Sequence, residues 1–201
     1  MAIFVSMLEF FQTGAFGSLR LKMPRRQIEE IVGPPDDYGI LSRKERRRYK
    51  EEDHWKYSGV WVYGSNGDNG IPGSVQLFFD EQHSLWYILI DYLYKCLPSG
   101  GEKMQIDPWI LHPGLSLEEA RATLTQSQLR YHTRQDPFYE GIVHLVLETG
   151  VVLYFDVEAK EESRSTGIQR LYFPDTMKDF YDEAGNMLPR KRPKGGAKTG
   201  K

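Results

Sequence analysis

Residues 75–80 read VQLFFD and residues 151–156 read VVLYFD, and the fold is decided by how these two stretches are interpreted. Val75, Leu77 and Phe79 alternate along the first, as Val151, Leu153 and Phe155 do along the second. A period of two belongs to a β-strand, whose successive side chains leave on opposite faces. Phe78 and Tyr154 then fall on the face opposite the aliphatics. Chance likeness of two apolar strands is one explanation. Duplication of a whole unit is the other, and the flanking segments favour it.

GVWVYG (59–64) and LWYILIDY (85–92) flank the first stretch. LRYHT (129–133), IVHLVLE (142–148) and IQRLYF (168–173) surround the second. All are rich in β-branched and aromatic residues and bounded by turn formers, and Thr149-Gly150 reads as a hairpin turn. A helix precedes each set. MPRRQIEEIVGPP (23–35) offers Pro24 at a helix start, Ile28, Ile31 and Val32 on one face, Gly33 as cap and Pro34-Pro35 as stop. SLEEARATLTQ (116–126) opens with a capping box, Ser116 and Glu119, and lines one face with Leu117, Ala120 and Leu124. A further helix is expected at the N-terminus, where Phe4, Met7, Leu8 and Phe11 form a stripe that Gly14 and Gly17 end.

The expected fold class is α+β, with two tandem helix-plus-antiparallel-sheet units whose helices pack on one sheet face. The first unit spans residues 1–97, a linker 98–108 and the second unit 109–174. Forty-two positions separate Gly33 from Val75 but 25 separate Gln126 from Val151; the difference, 17, matches a charged insertion at residues 41–57. Residues 175–201 form a tail, expected to be disordered from about residue 189 because PRKRPKGGAKTGK has no apolar periodicity.

A hydrophobic fraction of 40% over 201 residues supports a buried core. The net charge of -2 is uneven: the six bases of 190–201 leave a body of -8. RKERRRYK (43–50) is the other basic run. An acidic body with two basic segments speaks against a nucleic-acid-binding fold as a whole. Cys96 is the only cysteine, which excludes an intramolecular disulfide and points to a reducing compartment. The first 17 residues lack a basic leader region, and no segment is apolar enough to span a membrane, so a cytoplasmic location is expected.

LRLKMPRRQIEEIVGPPDD, then WVYG, VQLFF and LWYILI, resembles the repeat unit of the β-lactamase inhibitor protein and of outer-membrane assembly lipoproteins of the SmpA/OmlA type. Ile31-Val32-Gly33-Pro34 matches the helix end of that unit, and Trp61, Tyr63 and Gly64 match its strand. The likeness covers about a third of the chain. It implies helices on one face of an antiparallel sheet and protein contacts on the other. In contrast to both families, the first 17 residues read as neither an export signal nor a cysteine-bearing start, so an envelope location is not expected.

No metal, cofactor or catalytic motif stands out among His54, His83, His112, His132 and His144. GSNGDNG (64–70) lacks the lysine and helix of a phosphate loop and reads as a strand connection. Arg130, His132, His144 and Glu148 are expected on one solvent face, either as an acid–base cluster or as an ordinary polar sheet surface; the latter is the simpler reading. The aromatic residues carry more weight. Trp61, Tyr63, Phe78, Tyr87, Tyr154 and Tyr172 are expected on the uncovered sheet face as protein-binding anchors, with Val60 and Val62 turned inward. The expected function is that of a non-enzymatic protein-binding module of immunity or inhibitor type, with another protein as partner. Two alternatives remain: a nucleic-acid-associated accessory protein using 43–50 and 190–201, and a hydrolase centred on His132 and His144.

Overall fold

A computed structural model describes residues 2–64, 72–158 and 166–176. The readings made above for the glycine-rich connection and for the tail beyond 176 lie outside these residues. The described chain has a mixed α+β architecture with two sheets of unequal size. Its elements are β1 (Ile3–Ser6), α1 (Met7–Thr13), α2 (Arg25–Val32), β2 (Asp37–Tyr38), α3 (Arg43–Arg48), a 3₁₀ turn (Glu51–Lys56), β3 (Val60–Tyr63), β4 (Val75–Phe79), β5 (Leu85–Ile90), β6 (Met104–Asp107), α4 (Leu117–Gln126), β7 (Tyr131–Gln135), β8 (Ile142–Leu147), β9 (Val152–Asp156) and β10 (Gly167–Phe173). The large sheet runs β2-β3-β4-β5-β10-β9-β8-β7, every pair antiparallel. β1 and β6 form a separate parallel pair, so residues 104–107 of the expected linker are a strand.

The N-terminal helix is shorter than its stripe suggested. Ser6 caps α1 by accepting from the Glu9 amide, and Ile3 to Ser6 pair with Met104 to Asp107 instead. Phe4 is therefore an exposed strand residue, while Met7, Phe10 and Phe11 enter the core. α2 follows its sequence signals: Pro24 precedes the first turn, Ile28 and Val32 are buried, and Gly33 at φ +90° ends the helix. α4 buries Leu117, Ala120 and Leu124. Its expected capping box is half formed. Ser116 accepts from the Glu119 amide at 3.1 Å, but the Glu119 carboxylate turns to His112 Nε2 at 3.1 Å. The complete box lies in the charged segment, where Ser42 and Glu45 open α3.

Antiparallel partners share a face, and the register decides which. Trp61 pairs with Leu77 and Tyr63 with Val75. All four are wholly buried in the cluster that also holds Phe10 and Phe11 of α1, Ile28 of α2 and Leu124 of α4. The expectation that Trp61 and Tyr63 lie on the uncovered face is thus corrected: β3 is turned the other way, and Val60 and Val62 take the opposite face. Local bonds explain the preference. Trp61 Nε1 donates to the Trp55 carbonyl at 2.7 Å, and the Tyr63 hydroxyl donates to the Gly33 carbonyl at 3.0 Å. Each polar tip finds a partner, so large rings can be buried without an unsatisfied donor. Gly64 ends this strand at φ +87°, where a Cβ would lie 2.3 Å from the Ser99 carbonyl oxygen. Only glycine fits there.

Candidate functional site

On the sheet face opposite α1, α2 and α4, the strands bring aromatic rings into a row. Phe78 pairs across to Tyr87 with ring centroids 5.2 Å apart. Tyr87 lies 5.9 Å from Tyr172, Tyr172 lies 6.3 Å from His144, and His144 lies 5.0 Å from Tyr154. A register shift between Phe78 and Phe79 leaves Trp86 exposed beside Tyr87, ring centroids 5.3 Å apart. Four of the six expected anchors, Phe78, Tyr87, Tyr154 and Tyr172, therefore share one face. Val146, Val152 and Tyr172 form a small buried cluster there, against which Tyr87, Leu89 and Tyr154 pack. No helical residue joins that cluster among the described residues. Burial raises the Tyr87 phenol to about 12, so it stays a neutral donor at any physiological pH.

On the same face, centred on His144, lies a buried polar group. Arg134 grips Asp175 with two bonds, Nη1 to Oδ2 at 2.8 Å and Nη2 to Oδ1 at 2.9 Å. Arg134 Nη2 also stands 3.3 Å from His144 Nδ1. A guanidinium can only donate, so this ring nitrogen accepts and the proton sits on Nε2. His144 Nε2 in turn lies 3.2 Å from Asp136 Oδ2. The chain Asp175, Arg134, His144, Asp136 links the end of β10 to both sides of the β7–β8 hairpin.

The expected polar quartet is divided by this arrangement. His132 pairs with Val146, so it shares the face of His144, but it is exposed. Arg130 and Glu148 form their own exposed ion pair at 3.6 Å. His144 is only 2% exposed in its side chain. Burial first and the Arg134 charge second lower its pKa to about 4, against the opposing pull of Asp136. A histidine held neutral and cut off from solvent is a weak general base. Arg134 was legible in principle, two residues after His132 on the same strand face. Asp136 and Asp175 lie just outside the strands and carry no local signal.

Beside the aromatic row is a cavity of about 340 Å³ walled by Tyr92, Tyr94, Tyr139 and Tyr154 with the carboxylates of Asp91 and Asp156. Arg170 stacks over Tyr154 at 5.0 Å and lies 3.3 Å from Asp91. Phenol rings and carboxylates together suit a cationic or hydrogen-bonding group of a partner. Among the described residues, no three His, Cys, Asp or Glu are placed to hold a metal ion, and no helix is long and apolar enough to cross a membrane. The basic run forms α3, which buries none of its residues. No family model matches the chain, and comparison with curated proteins and with solved structures returns no match.

Proposed function

We propose that this chain is a non-enzymatic protein-binding module, of immunity or inhibitor type, that engages another protein through the sheet face opposite its helices. The observation that carries this reading is the half-buried Phe78, Tyr87 and Tyr154, arranged about a buried Tyr172 and flanked by exposed Trp86, on a face whose small apolar cluster holds no described helical residue. Aromatic side chains bring large contact area at little entropic cost, and contacts rich in them dominate binding energy. The tyrosine-lined cavity would receive a protruding side chain of the partner.

The tandem arrangement belongs to this proposal. Each of α2 and α4 is followed by four strands of the large sheet, and the sheet order reads the same from both ends when β2 to β5 are exchanged with β7 to β10. Leu77 lies between Trp61 and Ile88, as Leu153 lies between Leu145 and Leu171. At the junction Ile88 faces Phe173 and Ile90 faces Leu171, about a central Leu89–Tyr172 pair. These registers support duplication of one helix-plus-sheet unit, with the two copies joined through their last strands. They also fit the resemblance to the β-lactamase inhibitor unit, whose function is protein contact.

The test is affinity capture from a host lysate with the full chain and two double variants. Trp86→Ala with Tyr87→Ala should lose the captured protein while keeping the wild-type circular dichroism and a cooperative melt. His132→Ala with Arg130→Ala should keep it. Equal capture by both variants would defeat the reading.

A further inference from the structure

Two arginines are buried among the described residues, Arg25 and Arg134. Arg134 has Asp175; Arg25 has no carboxylate within ion-pair distance among the described residues. Arg25 is the first residue of α2 and is 8% exposed. Its guanidinium lies over the Phe79 ring at 4.5 Å and the Trp61 ring at 5.6 Å. Nη1 donates to the Lys56 carbonyl, and Nε is buried with no acceptor. A buried charge without a counter-ion is unfavourable, and the shortage is relieved when an anion binds.

The surroundings show where that anion would sit. Arg25 lines a cleft of about 370 Å³ on the helix side of the sheet, together with Arg26, Lys56, His83, Tyr57 and Glu29. Among the described residues Glu29, the one carboxylate in the wall, has none of these bases within 4.0 Å, though its charge is felt at Lys56. Lys56 is held by Asp53 at 2.8 Å and Arg26 by Glu30 at 3.0 Å, so both stand at the rim as partly neutralised cations. The first turn of α2 has no side-chain cap; its Arg25 amide donates to the His83 carbonyl at 2.9 Å and its Gln27 amide to the Pro24 carbonyl at 2.9 Å, so the charge offered to the cleft is that of the side chains. Exposed Tyr57 adds an aromatic wall, with Trp61 buried beneath the guanidinium.

We propose that this cleft binds a small oxyanion of the phosphate class, with Arg25 as the buried fork that grips it and Lys56 and Arg26 as rim cations. The planar guanidinium matches two oxyanion oxygens at once. The aromatic wall favours a phosphate carried on a ring over the bare ion. This site is separate from the aromatic sheet face, so neither reading depends on the other.

The test titrates the full chain with inorganic phosphate, phenyl phosphate and acetate at constant ionic strength, following tryptophan fluorescence and the melting temperature. Both phosphates should give saturable responses, with phenyl phosphate the tighter, and acetate should bind far more weakly. Arg25→Met should weaken phosphate binding roughly tenfold or more, the effect of losing a charged hydrogen bond. Lacking phosphate, the same variant should melt no lower than wild type, because it removes an uncompensated charge. Arg25→Lys keeps the charge and loses the fork, and should also weaken binding. An absent or non-saturable phosphate response, acetate binding as tightly as phosphate, or undiminished binding in the arginine variants would overturn the proposal. Should Arg25→Met not fold, unchanged binding by Arg25→Lys alone would overturn it.

Discussion

Replacing His144 by asparagine should flatten the acid limb of the stability curve. Asparagine can still accept from Arg134 through its carbonyl oxygen but cannot take up a proton. In the folded chain burial and Arg134 lower the His144 pKa from 6.5 to about 4. The unfolded chain therefore binds a proton there between about pH 6.5 and 4 while the folded chain does not, and stability falls as pH drops through that window. A gap of about 2.5 pH units at roughly 1.4 kcal/mol each gives about 3.5 kcal/mol as the upper limit of the loss. Above pH 6.5 both states leave the ring neutral, and below pH 4 both protonate it, so the contribution is confined between. Urea unfolding of wild type and His144→Asn at pH 7.5 and pH 4 measures it. The wild type should lose about 2–3 kcal/mol more than the variant across this range, because carboxylate titrations are common to both. Parallel pH profiles would refute the assignment of His144 as a buried neutral ring.

Trp61→Ala should destabilise the fold by about 3–5 kcal/mol through the cavity it leaves, whereas Trp86→Ala at the exposed register shift should stay within about 0.5 kcal/mol; chemical denaturation of the pair distinguishes the two sheet faces. Asp175→Ala leaves Arg134 buried and should cost about 3–5 kcal/mol, while the paired change of Arg134→Met with Asp175→Leu should recover most of that loss on the same unfolding assay. Gly64→Ala meets both a left-handed backbone and the Ser99 carbonyl, and should lower stability by more than about 1 kcal/mol, read as a drop in melting temperature.

The elements were largely legible because their signals are local. Alternation located β4 and β9, β-branched composition located β8, and the Pro24–Gly33 and Ser116 signals bounded α2 and α4. Orientation was less legible. Alternation in VWVY separates Trp61 and Tyr63 from Val60 and Val62 but does not tell which pair faces the helices. Hydrogen bonds to Trp55 and Gly33, distant in sequence or outside the strand, make that choice. β1 was hidden for a related reason: its partner lies a hundred residues away, and the helical stripe through Phe4 competes with it. In the candidate site, the aromatic residues of β4, β5, β9 and β10 were readable from alternation. The buried Arg134–Asp175 grip was not, since it joins a strand to a position just past the end of another.

The β5–β10 seam also has a consequence in time. β5 ends at Ile90, and β10, its only neighbour on that side, begins at Gly167. During synthesis at about 5–20 residues per second, the strand carrying Leu85, Ile88 and Ile90 would wait roughly 4–15 s with one row of backbone donors and acceptors bare. For that interval the nascent chain offers an apolar sheet edge to whatever strand comes near, including its twin on a neighbouring ribosome. A ribosome-bound fragment ending before residue 167 is the species that should recruit chaperones or pair with itself, and completion of residues 167–173 is the event that withdraws it from both.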